Sequence, residues 1–287
     1  MAQLKRIIFF TFSFILSSSL SSGILTGLNL RGELLFQEKE ISIIVQELFE
    51  LINEERKDLG LLTLQFSQDL SLLAREHSKD MALRGKISHS STSGQSYRDR
   101  IIEAGFYFSA IGENVASSNI PQAELIHEKL MDSAGHRKNI LDPDFDQVGI
   151  GVVFRKNKGY FITQDFRRAM VLKKEEEVKE DIQRDINDLR RENYLPSLSF
   201  TKEADDYALK CAIYKAKDKA PSPMPRHWGE TQFLFITSPT LEGIQSIYRD
   251  KVLKKTYTRA GLGVSFGKSS KYPGGCYFIT LVLISEN

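Results

Sequence analysis

Two histidines and one glutamate lie in segments whose composition suits a binding or catalytic site. His89 stands in a polar run rich in serine, Glu113 follows Gly112, and His136 follows Gly135. Such segments expose the side chains that bind ligands or do chemistry on a protein scaffold. Two neutral imidazoles and a carboxylate suit Zn²⁺ or a similar divalent cation, with a coordination position left open for water.

The same three residues also admit readings without a metal. They are equally suited to a hydrogen-bonded network that holds a cleft together, because buried polar groups must be paired. A serine hydrolase drawn from Ser90 or Ser133 with His136 and Glu113 is disfavoured, since the chain has no Gly-x-Ser-x-Gly nucleophile elbow. A metal-activated water with Glu113 as base is the better hydrolytic hypothesis. We expect Glu113 to be structural rather than catalytic.

The elements that must position these residues follow from the spacing of apolar residues. Helices are predicted from near Glu40 to Leu59, from Ser67 to Arg84, from Tyr97 to Ala104 and from Pro121 to about Ser133. His77 and His127 fall inside two of these helices and are interpreted as ordinary helix residues. Gly135, directly after a helix, is expected to take a positive φ. Two strands, Val148–Phe154 and Gly159–Phe166, form a predicted hairpin, so the first half reads as a layered α+β domain.

The second half repeats part of this pattern. Its segments Ile186–Arg190 and Leu195–Phe200 match Ile52–Arg56 and Leu61–Phe66 at one constant offset, which indicates a diverged tandem copy. Further matches pair Gly229–Glu230 with Gly112–Glu113 and Gly261–Phe266 with Gly149–Phe154. The copy has no equivalent of Gly135–His136, whose position is expected within Lys254–Thr258. Trp228, the only tryptophan, is expected to fill the space left by a shortened middle.

The first half resembles the CAP superfamily, also called SCP domains, and within it the bacterial branch. The family is named for cysteine-rich secretory, antigen-five and pathogenesis-related proteins. The resemblance covers roughly 41–168, and its motifs come in the family's order: Asn53 with Arg56, Leu64, Ala74, His89–Ser90, Gly112–Ala116, Ser133–Leu141, Val148–Val152 and Thr163–Phe166. Each motif alone would be weak evidence. The second half resembles the same family only through its first helix pair and last strands.

The resemblance implies an α-β-α sandwich with an open cleft that holds two histidines and two acidic residues. By position these are His89, His136 and Glu113, while the second acid of the eukaryotic members falls on Ser133 here. This departure weakens any mechanism that needs two carboxylates. The implied role of the cleft is binding of a divalent metal such as Zn²⁺ through His89 and His136, or of a lipid-like molecule or a peptide. The alternatives are a metal-dependent hydrolase and a non-catalytic extracellular interaction module.

Composition and the first residues indicate export. Lys5 and Arg6 precede the short apolar run Ile7–Leu16 and then small residues, the order found in a secretory signal peptide. With 41% hydrophobic residues and a net charge of +2, the chain can bury a core and shows no preference for nucleic acid. No stable membrane span is expected. The predicted divisions are a signal peptide 1–22, a lead-in 23–40, the CAP domain 41–168, a charged linker 169–180 and a degenerate CAP-like domain 181–287.

Two questions stay open at this level. Outside the cytoplasm Cys211 and Cys276 are free to be oxidised, but their spacing does not show whether they form a disulfide or stay as buried thiols. The second domain is expected to pack on the first domain or on a protein partner.

Overall fold

The computed structural model describes residues 16–220 and 223–285, with side chains described from Leu35 onward. Most of the predicted signal peptide lies outside these ranges. The described chain forms two units in succession, each with helices packed on a four-stranded sheet. The predicted α+β class is confirmed, and the two successive sheets are consistent with the predicted tandem arrangement.

Within the described ranges, no helix combines the length and the apolar character needed to cross a membrane.

The first unit contains five helices and four strands among its described residues. They are α1 (Leu16–Asp58), β1 (Gln65–Phe66), α2 (Gln68–Arg84), α3 (Tyr97–Glu103), β2 (Phe108–Ser118), α4 (Ala123–Asp132), α5 (Ala134–Ile140), β3 (Gln147–Arg155) and β4 (Gly159–Ala169). The strand order is β1-β3-β4-β2, so β2 forms one edge of the sheet. The prediction that the first helix begins near Glu40 is wrong, because α1 extends back at least to Leu16, the first residue that the structure describes. No proline interrupts the intervening sequence and forces a helix end there.

Helix α2 has the ends that the sequence predicts. The hydroxyl of Ser67 accepts a hydrogen bond from the backbone N–H of Leu70 at 3.4 Å, and Gly85 ends the helix with φ at 69°. The helix then packs directly on the backbone of β3. A Cβ atom at Gly149 or Gly151 would overlap the main chain of α2, so this approach requires glycine at both positions.

Helices cover both faces of the sheet, as the α-β-α resemblance implies. Alternate residues of β3 and β4 pack under α1 and α4 in one large apolar cluster that includes Leu48, Leu130, Val148, Ile150 and Ile162. The opposite face lies under α2, where Met81 packs against Val115 and Phe161. Side chains of one strand alternate between the faces. Glu113, Thr163 and Asp165 therefore project toward α2.

The second unit repeats this layout with fewer helices. Its elements are α6 (Glu175–Glu192), β5 (Ser199–Phe200), α7 (Lys202–Ala216), β6 (Thr231–Ser238), α8 (Gln245–Val252), β7 (Tyr257–Gly267) and β8 (Cys276–Ser285). The strand order β5-β7-β8-β6 corresponds to that of the first sheet. Helix α6 begins inside the predicted linker 169–180, and its Val178 is buried in the core of the second unit. The charged run is therefore the exposed face at the start of a helix, and residues 170–174 form the connection.

A buried arginine fixes the same junction in each unit. Arg56 donates hydrogen bonds to the carbonyl oxygens of Leu62, Ile140, Asp142 and Phe145 at 2.8 to 3.3 Å. Arg190 donates to the carbonyl oxygens of Pro196, Val252, Lys254 and Tyr257 at 2.6 to 3.1 Å. Each guanidinium thus ties the first helix of its unit to a later helix end and to the strand that follows it.

These bonds identify the counterpart of His136. Ile140 and Val252 accept equivalent hydrogen bonds and close α5 and α8 respectively. One helical turn back from them lie His136 and Tyr248. The expectation that this position falls within Lys254–Thr258 is therefore wrong. A short insertion or deletion in a loop displaces a sequence alignment made without gaps. The equivalent buried hydrogen bonds of the two units are not displaced, so they identify corresponding residues more reliably.

The sheets identify the counterparts of Glu113 and Asp165. Gly149 and Gly261 each lie against the start of the overlying helix, and their ladder partners are Asp165 and Val282. One strand further across, Asp165 pairs with Glu113 and Val282 pairs with Phe233.

The match of Gly229–Glu230 to Gly112–Glu113 is therefore not structural. The backbone of Glu230 pairs with Ser285 outside strand β6. Trp228 is buried in a cluster with Ala204, Ala208 and Val282, and Phe233 packs against this cluster.

The two units touch at the start of β2 and at the connection 170–174. The N–H of Phe108 donates to the carbonyl oxygen of Gly274 at 3.1 Å, and the rings of Tyr107 and Phe266 meet edge to face at 5.4 Å. The backbone N–H of Lys173 donates to the hydroxyl of Tyr277 at 2.7 Å. The second unit therefore packs on the first beside the strand that carries Glu113.

Candidate functional site

His89 and Glu113 form a hydrogen-bonded pair at the edge of the first sheet. Nδ1 of His89 lies 2.8 Å from Oε1 of Glu113. An ionised carboxylate only accepts hydrogen bonds, so Nδ1 is the donor and Nε2 is the ring nitrogen left without this partner. The side chain of His89 is 63% exposed, whereas that of Glu113 is 4% exposed. A buried carboxylate therefore orients an imidazole that faces solvent.

Arg100 holds this pair in place. Its guanidinium pairs with Oε2 of Glu113 and donates to the carbonyl oxygens of His89 at 3.0 Å and Gln95 at 3.1 Å. Helix α3 presents Arg100 because a capping box formed by Ser96 and Asp99 starts that helix. The loop between α2 and α3 is thereby tied to strand β2.

His136 approaches from the other side of the same edge strand. It lies on α5, and its carbonyl oxygen accepts a hydrogen bond from Nδ2 of Asn114 at 3.1 Å. Nδ2 of Asn139 donates to the carbonyl oxygen of Glu113 at 3.1 Å and to Oδ1 of Asn114 at 2.9 Å. Two consecutive residues of β2 thus have different roles. The side chain of Glu113 orients His89, and the side chain of Asn114 anchors α5.

The electrostatics of the pair and of His136 favour neutral imidazole at His136. Burial lowers the pKa of His136, and the nearby charge of His89 lowers it further. Burial raises the pKa of Glu113, while Arg100 and His89 oppose that rise. Neutral imidazole is the form that binds a metal ion.

Ser133 and Gly135 do not behave as the sequence suggests. Ser133 separates α4 from α5 with an extended backbone, and its side chain makes no capping hydrogen bond. It stands one turn before His136 and supplies no second acid. The expectation of a positive φ at Gly135 is wrong, since Gly135 lies within α5 and the chain already changes direction at Ser133.

Three further side chains belong to the site and were not singled out for it from the sequence. Arg100 pairs with Glu113, and Nε2 of the buried His77 lies 3.8 Å from Oε2 of the same carboxylate. Asp165 is fully buried opposite Glu113 in the ladder. His77 shares the apolar face of α2 with Ala74 and Met81, a position that signals a buried histidine in need of a partner. Nothing in the spacing around Arg100 points to Glu113.

His89 and His136 are the residues of this cleft that could contact a cation. Among residues 16–220 and 223–285, no three His, Cys, Asp or Glu side chains are arranged to hold a metal ion by themselves. His89 and His136 would supply two nitrogens, and Glu113 would act behind His89. Cys211 and Cys276 are not joined in a disulfide, and both are buried in the second unit, away from this site.

The fold and the order of these residues agree with a known family. Residues 49–166 match the sequence model of the CAP family, described as the cysteine-rich secretory protein family. The first unit of this chain is therefore a CAP domain.

Three bacterial proteins illustrate the similarity. The uncharacterized protein YkwD of Bacillus subtilis is 36% identical over 126 residues, which are 44% of this chain and 48% of YkwD. The uncharacterized membrane protein YlbC of the same organism is 32% identical over 42% of this chain and 33% of its own. The crystal structure of an extracellular protein containing an SCP domain from Bacillus anthracis is 31% identical, covers 44% of this chain and 41% of that one, and has a TM-score of 0.41. The match spans less than half the length of each of these proteins.

Proposed function

We propose that the cleft of the first unit binds a divalent transition-metal ion through His89 and His136. The observation that carries this proposal is the 2.8 Å hydrogen bond from Nδ1 of His89 to buried Glu113, which leaves Nε2 facing solvent. Histidines that bind metal ions commonly donate their other ring N–H to a carboxylate in this way, which fixes the tautomer and the ring orientation.

The geometry favours binding over hydrolysis. Both oxygens of Glu113 are engaged, one with His89 and one with Arg100. A general base must have an oxygen free to accept a proton from the attacking water. The metal is favoured over a lipid-like ligand because polar side chains dominate the site: His89, Arg100, Glu113, Asn114, His136 and Asn139.

Isothermal calorimetry with Zn²⁺ on the full-length exported protein tests this proposal. His89→Ala and His136→Ala should each weaken binding by roughly tenfold or more, because loss of a ligand removes a coordination bond. His227→Ala is the matched control, since that imidazole is 64% exposed and lies in the second unit beside Glu203. Equal affinity in the wild type and the His89→Ala, His136→Ala double variant would refute metal binding at this site.

We also propose that the protein works outside the cytoplasm, after removal of roughly the first twenty residues. The support is the order of charged, apolar and small residues at the start of the sequence. N-terminal sequencing of protein recovered from the medium should find a new terminus after the apolar run. Recovery of the protein only with an intact Met1, in a membrane fraction, would contradict export with cleavage.

We further propose that the second unit is a diverged copy of the first that has lost the site. The shared strand order and the equivalent bonds of Arg56 and Arg190 support this origin. Phe233 and Tyr248 stand where Glu113 and His136 stand in the first unit. Its contribution is therefore structural, through contacts such as that between Gly274 and Phe108. In the calorimetry above, Zn²⁺ binding that survives both cleft substitutions but is lost with His227→Ala would contradict this role.

A further inference from the structure

A second carboxyl group lies buried behind the site. Asp165 stands on β4 directly opposite Glu113 on β2, and its exposed fraction is 0%. Side chains that face each other in an antiparallel ladder have Cβ atoms about 5 Å apart. Among the described residues, neither oxygen of Asp165 has a hydrogen-bond partner.

The groups that face Asp165 supply too little positive charge for two carboxylates. From α3 come the guanidinium of Arg100 and the phenol of Tyr97, and from β2 comes Glu113. From α2 comes His77, which burial and the charge of Arg100 keep neutral by lowering its pKa to about 4. On the β3 side the ladder partner is Gly149, which has no side chain. One guanidinium therefore faces two buried acids.

The second unit shows that this position in the fold does not require acids. There the same ladder pair is Phe233 and Val282, and both pack in an apolar cluster with Trp228. The second unit, which has Tyr248 in place of His136, lacks both carboxyl groups as well. The sheet therefore does not require the pair Glu113–Asp165, and we associate this pair with the site that contains His89.

We propose that Asp165 keeps its proton while Glu113 is ionised, so that the buried pair carries a single negative charge that Arg100 balances. Glu113 is then the one carboxylate that Arg100 and His89 share, and Asp165 acts as a positioning residue that sets the charge behind His89. Complete burial raises the pKa of Asp165 well above its usual range, and the charge of Glu113 raises it further. This inference builds on the proposed site but not on metal binding, because its test uses no metal.

The test is thermal unfolding of the full chain from pH 4 to pH 8 with Asp165→Asn beside the wild type. In the unfolded wild type Asp165 loses its proton near pH 4, whereas in the folded protein it keeps it, so stability is lost as pH rises. The asparagine variant lacks this loss. The melting temperature of Asp165→Asn relative to wild type should therefore rise steadily from pH 4 to pH 8. Asp132→Asn, in which an exposed carboxyl group at the end of α4 becomes an amide, is the matched control.

A direct titration of Asp165 in the wild type tests the proposal even if Asp165→Asn fails to fold. Carboxyl ¹³C NMR of the wild type should show Asp165 titrating at a higher pH than an unfolded aspartate does, and Glu113→Gln should lower its titration midpoint because one neighbouring charge is gone. An Asp165 that titrates near pH 4, or an Asp165→Asn variant that becomes less stable relative to wild type as pH rises, would overturn the proposal. Calorimetry with Zn²⁺ remains an independent test of the cleft.

Discussion

The guanidinium of Arg100 contacts the His89–Glu113 pair at both of its residues. It pairs with the carboxylate of Glu113 and donates to the backbone carbonyl of His89 at 3.0 Å. One side chain thus neutralises the carboxylate that orients the imidazole and fixes the loop that carries it. The site depends on this bridge between helix α3 and strand β2.

Replacement of Arg100 by methionine should lower the free energy of unfolding by about 3 kcal/mol or more, because it leaves a buried carboxylate without its partner. Amide hydrogen exchange in residues 86–96 should quicken, since the carbonyls of His89 and Gln95 lose their donor. Arg98→Met, an exposed neighbour on the same helix, should change stability by less than about 0.5 kcal/mol. Unchanged exchange in Arg100→Met would show that the loop is held by other contacts.

The buried arginines of the two units should be equally intolerant of change. Arg56→Met and Arg190→Met each leave carbonyl oxygens without a donor, and each should cost about 3 kcal/mol or more. Chemical unfolding is the measurement. The adjacent substitutions Lys57→Met and Arg191→Met are the controls, because both side chains are exposed. A loss below 1 kcal/mol for either buried arginine would contradict its role at the junction.

Two glycines should respond to alanine in opposite directions. At Gly151 an added Cβ overlaps the backbone of α2, so Gly151→Ala should destabilise the protein by roughly 1–3 kcal/mol. At Gly135 no atom lies within 4 Å and the backbone is helical, so Gly135→Ala should leave stability unchanged or raise it by up to about 1 kcal/mol. Thermal unfolding decides both cases. A large loss in Gly135→Ala would restore the expectation of a positive φ.

Acid should destabilise the fold through His77. Burial, aided by the charge of Arg100, lowers its pKa to about 4, while an unfolded chain protonates the same imidazole near 6.5. The unfolded state therefore gains a proton first, and stability is lost as pH falls from about 6.5 to about 4. In His77→Gln, whose amide can still donate to the carbonyl of Ser88, this part of the pH dependence should disappear. If the wild type and His77→Gln lose stability equally as pH falls, groups other than His77 cause that loss.

Much of the fold follows from local sequence. Ser67 and Gly85 mark the ends of α2, and Asn157 and Gly159, with φ at 64° and 83°, form the hairpin turn where the spacing places it. These features are determined by residues close together in the chain. Helix α1 is the exception, since the apolar spacing predicts only its part after Glu40.

The site was predictable only in part. His89, Glu113 and His136 stand in motifs that resemble a family, so they could be named. Arg100 and Asp165 could not, because the first reaches Glu113 across a helix–strand contact and the second across a ladder register. Neither the Arg100–Glu113 contact nor the Asp165–Glu113 pairing produces a periodic pattern in the sequence. The counterparts Phe233 and Tyr248 were missed for a related reason, since loop lengths differ between the units.

Imidazole ¹⁵N NMR of the wild-type protein during a Zn²⁺ titration tests the central claim most directly, because it reports each ring separately. We expect Nε2 of His89 and one ring nitrogen of His136 to shift together, while Nδ1 of His89 keeps its hydrogen bond to Glu113. The rings of His77, His127 and His227 should stay unchanged. Zn²⁺-dependent shifts confined to those three histidines, or no shift in any ring, would contradict a metal site in this cleft.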